Sequence, residues 1–218
     1  MLRAMSMRTT LSGCTLSKVR KAIGRADEKL IETVQKRLEK EAREFERDDD
    51  EEAAQQVREQ AASIVAKLRG QDGPTLEDEG HAGYVVAKAL LARFDGSKRP
   101  RTGFEVKSAF WYEVLDYYGE ELGEEAALFG HLASGRPLFG RTINNGCFYA
   151  WFDRAEAVRL RDAALRIGEL WREKAHRREP PLRLDTEAVE LLTGERDGLA
   201  GCVDQILAAG YDVWAETT

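Results

Sequence analysis

The segment 81–94, HAGYVVAKALLARF, constrains the fold most, because its helical pattern is apolar nearly all the way round. Lys88 and Arg93 are its only fully charged residues. A helix at a protein surface keeps a wide polar face, so a helix with this pattern is buried on most sides. Thr75, with Asp78 three residues later, has the spacing of a capping box ahead of it. We therefore expect the other helices to pack around this segment.

Most of the remaining pattern is also helical. Residues that favour helix N-caps precede these stretches at Ser17, Asp27, Ser108, Asp153, Asp185 and Asp197. Glu156 follows Asp153 at capping-box spacing, and the helix that they open is predicted to run to about residue 175. The acidic run 48–52 is interpreted as the start of a helix that Gly70 ends, because carboxylates there meet the positive end of the helix dipole.

Three stretches predict strands. Residues 9–15 form a short first strand, and residues 211–215 alternate as a final one. The strongest β signal is 138–152: the Asn-Gly pair at 145–146 favours a hairpin turn, and the CFYAWF that follows is apolar on both faces, as in an inner strand. The segment 97–103, SKRPRTG, is predicted to be a loop. Because helices outnumber strands, we predict an α+β fold, predominantly helical, with a small, partly antiparallel sheet covered by helices.

The same pattern suggests four segments along the chain. Residues 1–16 are predicted to be a flexible start with a short strand, and residues 17–176 the main helical α+β domain. Residues 177–184 contain two adjacent prolines, which favour an extended connector. Residues 185–218 are predicted to form helices and a strand that pack on the main domain.

Charge and cysteine content limit the functional classes. The chain of 218 residues has a formal net charge of −6, which argues against a general nucleic-acid binder. No run approaches the ~18 apolar residues of a membrane span, and the N-terminus lacks the apolar core of a secretory signal. Cys14, Cys147 and Cys202 are odd in number and far apart, which indicates reduced thiols. We expect a cytoplasmic protein that does not associate with membranes.

Three segments together resemble a family of small bacterial cytoplasmic proteins known only as a domain of unknown function. They are LSKVRKAIGRADEKLIETV (16–34), GHAGYVVAKALL (80–91) and FYAWFDRAEAVRLRDAAL (148–165). The resemblance implies a small α+β cytoplasmic protein and carries over no catalytic residue. Similar α+β proteins are immunity partners of bacterial toxins, so the resemblance also favours binding to another protein.

An acidic run in the middle of the chain is the main candidate for a binding surface. Between residues 113 and 125 there are six acidic residues and no basic one: Glu113, Asp116, Glu120, Glu121, Glu124 and Glu125. One interpretation is a solvated helix face. The other is a docking surface for a basic partner, in which charge sets the association rate and the specificity.

Three arginines are candidates for anion binding. Arg136 and Arg141 lie in SGRPLFGR, which lacks the lysine and the glycine spacing of known phosphate loops but has the composition of an anion-binding corner. Arg161 falls inside the apolar arc of its helix, so we predict that it reaches a carboxylate or several carbonyls of another segment. That contact is either a structural clamp or an anchor for an anion.

Catalytic and metal sites have weaker support. Glu77 and His81 share helical spacing, but no second ligand cluster accompanies them, so we expect neither a metal nor a cofactor. Cys14 is the thiol predicted to be most accessible, yet no histidine is paired with it in sequence. We therefore predict no catalytic residues and favour a non-enzyme.

The favoured function is an intracellular protein-binding module, an immunity-type inhibitor of a basic partner. The alternatives are an enzyme with a site near Arg136 and Arg141, or a regulatory protein associated with nucleic acid.

Overall fold

A computed structural model describes residues 6–25, 28–71, 80–95, 100–107, 109–136, 138–139, 148–176 and 184–217. The elements follow in the order β1 (Ser6–Cys14), α1 (Leu16–Ala22), α2 (Glu28–Arg47), α3 (Glu51–Leu68), α4 (Gly80–Asp95), β2 (Arg101–Lys107), α5 (Phe110–Leu122), a 3₁₀ turn (Gly123–Glu125), α6 (Ala126–Ser134), β3 (Phe148–Phe152), α7 (Arg154–His176), α8 (Thr186–Thr193), α9 (Leu199–Ala208) and β4 (Asp212–Thr217). Helices dominate and one small antiparallel sheet accompanies them, which confirms the predicted α+β class.

The chain divides into two compact units. The sheet unit comprises Met1–Cys14, Arg99–Gly135 and Tyr149–Thr218, and the helical unit comprises Thr15–Lys98 and Arg136–Phe148. Each unit is thus assembled from segments that are distant in sequence. The four segments predicted from the sequence stay a prediction.

The sheet has the strand order β2-β1-β4-β3. β1 pairs antiparallel with β2 and with β4, so that Thr9 lies opposite both Phe104 and Thr217. Thr9 and Thr217 are buried, and their hydroxyl oxygens lie 3.3 Å apart in a hydrogen bond. This bond satisfies polar groups that would otherwise be costly to bury. The predicted first and last strands are confirmed.

β2 corrects the predicted loop at 97–103. Phe104 and Val106 are buried while Arg101 and Glu105 are exposed, which is the alternation of a strand with one covered face. Gly103 had suggested a turn, but in the structure it lies within the strand. Its lack of a side chain lets β2 approach β1 closely, because a Cβ there would lie 3.0 Å from the backbone oxygen of Thr9.

Local capping signals start two helices of the sheet unit, α7 and α8. Asp153 Oδ1 accepts a hydrogen bond from the Glu156 amide at 2.9 Å, and Glu156 Oε2 accepts one from the Asp153 amide at 3.1 Å. The predicted capping box of α7 is therefore confirmed. Asp185 likewise caps α8 by accepting from the Ala188 amide at 2.8 Å.

Two predicted caps are wrong. The N-cap of α9 is Gly198 rather than Asp197, and a Cβ at Gly198 would lie 2.4 Å from the Gly194 amide nitrogen, so no side chain fits. Ser17 lies inside α1, whose N-cap is Thr15, because β1 extends to Cys14 and the helix starts at once.

The helical unit is organised around α4, as predicted. Its buried residues include Ala82, Val85, Val86, Ala87, Ala89, Leu90 and Leu91, and it contacts α1, α2 and α3. Asp50 caps α3 by accepting from the Ala53 amide at 3.0 Å, which confirms that the acidic run begins a helix. Ion pairs from Arg69 to Glu28 and from Arg58 to Glu46 hold α2 and α3 antiparallel.

Several predicted features lie outside the described residues. They are the caps at Thr75 with Asp78, Asp27 and Ser108, the hairpin turn at 145–146, the connector at 177–183, and Arg141 and Cys147. The prediction that 148–152 is an inner strand is wrong: β3 lies at the edge of the sheet, beside β4, among the described residues. Its apolar residues Tyr149, Ala150 and Phe152 are nevertheless buried, which explains why the sequence resembles that of an inner strand.

Candidate protein-interaction surface

The outer face of α5 is the candidate interaction surface. Tyr112, Asp116 and Glu120 are exposed and four residues apart, so they form one row along the helix. Tyr112 is 46% exposed, one of the few large apolar side chains that reach solvent in the described chain. Glu113 is half-buried beside this row. We call Tyr112, Glu113, Asp116 and Glu120 the outer face.

The opposite side of α5 fixes the position of the outer face. Its buried residues are Phe110, Trp111, Val114, Tyr118 and Leu122. The ring of Trp111 lies edge-on to Phe110, with centroids 4.8 Å apart, and to Phe104 of β2, with centroids 6.1 Å apart. Such aromatic contacts add to the free energy gained by burial. The outer face is therefore presented by a helix that is held firmly on the sheet unit.

Basic residues of α7 neutralise the second part of the acidic run. Lys174 Nζ lies 2.8 Å from Glu121 Oε1, and Arg159 Nη2 lies 2.8 Å from Glu125 Oε1 and 3.6 Å from Glu124 Oε2. Hydrogen bonding to Lys174 lowers the pKa of the Glu121 carboxyl, and hydrogen bonding to Arg159 lowers the pKa of the Glu125 carboxyl. These carboxylates contribute to contacts inside the sheet unit.

The first part of the run has no such partner. Glu113, Asp116 and Glu120 make no ion pair within the part of the chain that the structure describes. The six acidic residues predicted to act together therefore separate into an outer group and a group held by α7. The outer group differs from the second group in that no basic side chain of the described residues offsets its charge.

Arg161 is held by carboxylates. Its guanidinium lies 2.8 Å from Asp204 Oδ1 of α9 and 2.7 Å from Asp162 Oδ1, which confirms the predicted reach to another segment. Hydrogen bonds to Asp204 and then Asp162 raise the pKa of Arg161. The ion pair with Asp204 joins α7 to α9, and the two carboxylates occupy the guanidinium group of Arg161.

The predicted anion-binding corner is not assembled from described residues. Arg136 is half-buried just after α6, and Arg141 lies outside the described chain. The role of the two arginines in anion binding stays a prediction.

The thiols are more buried than predicted. Cys14 is fully buried in β1, so the prediction that it is the most accessible thiol is wrong; the strand lies inside the sheet, with partners on both sides. Cys202 is also fully buried, and its Sγ lies 3.0 Å from Thr102 Oγ1. Burial raises the pKa of the Cys202 thiol, which disfavours the thiolate that nucleophilic catalysis needs. Neither Cys14 nor Cys202 forms a disulfide.

Among the described residues, no three His, Cys, Asp or Glu side chains cluster as metal ligands would. The predicted pair of Glu77 and His81 lies outside them, since the side chains of both are not described. None of the described helices combines the length and the apolar character that crossing a membrane requires.

Comparisons with known proteins found no relative of this chain. No family model, no curated protein and no solved structure matches the chain.

Sequence reasoning missed Tyr112, Lys174 and Arg159. The spacing of Tyr112, Asp116 and Glu120 was available in the sequence and predicts their common row. The pairing of Lys174 with Glu121 spans 53 residues, so no local pattern indicated which acids are neutralised.

Proposed function

We propose that the protein is an intracellular binding module that recognises a basic protein through the outer face of α5. The observation that carries this proposal is the separation of the acidic run: the outer carboxylates form no ion pair with a described residue, and an exposed tyrosine lies in line with them. Tyrosine is among the residues that most often dominate binding energy in interfaces. Surrounding carboxylates would attract a basic surface and raise the association rate.

Within this class, we propose an immunity-type inhibitor that acts in the cytoplasm. The net charge of −6 supports a basic partner, and two buried cysteines that form no disulfide fit a reducing compartment. The resemblance of residues 16–34, 80–91 and 148–165 to small bacterial cytoplasmic α+β proteins points in the same direction. Inhibition would require only that the outer face cover a functional surface of the partner.

Site-specific photocross-linking tests the proposal. A photoreactive phenylalanine analogue replaces Tyr112 in one variant and Leu165 in a matched control, because Leu165 is 40% exposed on α7 and lies outside the outer face. We expect the Tyr112 variant to capture one basic protein in a lysate of the source cells and the control to capture none. The neighbouring open reading frame is the first candidate for its identity.

The captured protein is then purified and its affinity measured for Asp116→Lys/Glu120→Lys. Binding should weaken at least tenfold, the range expected when close charge pairs across an interface become repulsive. Equal capture at both positions, or an affinity that the double reversal leaves unchanged, would contradict the proposed surface.

A further inference from the structure

The outer side of α7 carries two exposed apolar residues. Of the three large apolar side chains that are exposed in the described chain, two lie on this helix: Val158 is 36% exposed and Leu165 is 40% exposed. They are seven residues apart, which is about two helical turns, so they lie on the same face. Leu160 and Ile167 of the same helix are fully buried, which fixes that face toward solvent.

Charged residues of opposite sign stand at the two ends of this apolar pair. Arg154 precedes Val158 by four residues, and Glu169 follows Leu165 by four; both charged residues are exposed. Four-residue spacing keeps each of them in the same row as its apolar neighbour. Arg154 donates to the carbonyl oxygen of Leu207 at 3.3 Å, but a guanidinium has five N–H donors and can bind a carboxylate as well. The four residues of this row, which we call the α7 row, therefore run in the order basic, apolar, apolar, acidic.

The α7 row is complementary to itself when it is reversed. Its two apolar residues are equidistant from the midpoint between residues 161 and 162, and so are its two charged residues. A two-fold axis at this midpoint would set α7 antiparallel to α7 of a second copy. Val158 then faces Leu165 of that copy. Arg154 likewise faces its Glu169, and each contact occurs twice, as an isologous interface requires.

Other arrangements of two α7 helices lose this match. A shift by one helical turn would place Val158 against Glu169 in one direction and against Arg161 in the other. A parallel arrangement would place each charged residue against its own counterpart. Near the proposed axis, Arg161 and Asp162 form an ion pair within each copy at 2.7 Å, so their charges offset each other there. The antiparallel register about this axis is therefore the one that the row favours.

We propose that the α7 row is the interface of a weak homodimer, in which α7 of one copy packs antiparallel against α7 of a second copy. Apolar contact supplies attraction, and the pairs of Arg154 with Glu169 fix the register. A single pair of helices buries less than the roughly 1,200 Å² of a standard interface, so we expect a dissociation constant on the order of 10–100 µM. At nanomolar concentrations, where capture of a partner is measured, the protein is monomeric, so Leu165 remains a suitable control for the outer face of α5. The two surfaces are independent.

Sedimentation equilibrium of the full chain tests the proposal. We expect a reversible equilibrium between monomer and dimer from about 1 to 500 µM. Leu165→Glu should raise the dissociation constant at least about tenfold, because it places a carboxylate in both apolar contacts. Tyr112→Glu is the matched control, since it introduces the same charge at an exposed residue of α5, and it should leave the constant unchanged. Thermal melting verifies that both variants still unfold cooperatively.

An exchange of charges tests the register. Glu169→Arg should raise the dissociation constant roughly three- to tenfold, because it replaces two attractive pairs with two repulsive ones. Arg154→Glu/Glu169→Arg should restore the wild-type constant, since the pairs form again with their signs exchanged. The two residues are about four helical turns apart, so they do not contact each other within one copy and rescue reports a contact between copies. Glu190→Arg, an equal reversal at an exposed residue of α8, should have no effect.

The outcomes separate this interface from other sites of association. Dimerisation that Leu165→Glu weakens and that the charge exchange restores supports the proposed contact. The proposal is overturned if the wild type stays monomeric up to about 500 µM, if Leu165→Glu and Tyr112→Glu change the dissociation constant equally, or if the charge exchange fails to restore it.

Discussion

The outer face of α5 and the acids held by α7 share one acidic run but lie in different surroundings. Asp116 and Glu120 face solvent without an ion-pair partner in the described chain, while Glu121 and Glu125 meet Lys174 and Arg159 at 2.8 Å. The difference shows that a run of like charges in sequence is not one functional unit. The position of each carboxylate on the helix decides whether it reaches a basic residue of α7, and the proposed binding surface comprises those that do not.

The largest change in the free energy of unfolding is expected from a comparison of two adjacent residues on opposite sides of α5. Trp111 is 2% exposed and Tyr112 is 46% exposed. Trp111→Ala should lower the free energy of unfolding by about 3–5 kcal/mol, since it removes a large buried ring. Tyr112→Ala should change it by less than about 0.5 kcal/mol, as is usual for surface positions. Denaturant unfolding monitored by circular dichroism measures the free energy of unfolding of both variants. Similar decreases would mean that Tyr112 is packed in the interior and does not belong to an exposed face.

A smaller effect separates the two groups of acids. Glu121→Gln/Glu125→Gln should lower the free energy of unfolding by about 1 kcal/mol, because two partly exposed ion pairs are lost. Asp116→Asn/Glu120→Asn should leave it within about 0.5 kcal/mol of the wild type, since no ion pair is broken. If the second variant is the less stable of the two, the outer acids are structural and the comparison fails.

The pH dependence of stability distinguishes the same two groups. Hydrogen bonds to Lys174 and Arg159 lower the pKa values of Glu121 and Glu125 in the folded state below the value of 4.5 for a free carboxyl. Their contribution is therefore complete above pH ~4.5 and is lost as the pH falls through the lower folded-state pKa values. The stability difference between wild type and Glu121→Gln/Glu125→Gln should shrink as the pH falls below that value. A difference that stays constant down to pH 2 would exclude these ion pairs as its source.

The smallest effect concerns Arg161. Asp162 and Asp204, the carboxylates that bind it, keep more than half of their side-chain surface exposed, so water solvates them if the guanidinium is removed. Arg161→Met should therefore lower the free energy of unfolding by less than about 1 kcal/mol. Arg166→Met, an exposed arginine of the same helix, is the control. A loss of about 3 kcal/mol or more would indicate a buried carboxylate left without its partner.

Local chemistry determined which parts of the fold were predictable. The capping box of Asp153 and Glu156 and the start of α3 after the acidic run follow from residues within one helical turn, and both were predicted. β2 was missed because its hydrogen bonds go to β1, about 90 residues earlier, and nothing near Gly103 indicates that partner. The burial of Cys14 was missed for the same reason, since it depends on partner strands that are distant in sequence.

The candidate site was predictable in composition but not in arrangement. The acidic run was evident in the sequence, while its separation into two groups depends on α7, whose Arg159 lies 34 residues from Glu125. Long-range packing, which local patterns do not encode, produced this separation.

The association rate of the captured partner tests the central claim most directly. Stopped-flow or biosensor kinetics compare wild type with Asp116→Lys/Glu120→Lys and with the matched reversal Glu169→Lys/Glu173→Lys on α7, which changes the net charge equally. We predict that the outer-face reversal slows association at least tenfold, that the α7 reversal slows it far less, and that both dissociate at rates close to wild type. Equal association rates for the two variants would contradict the assignment of the outer face of α5 as the binding surface.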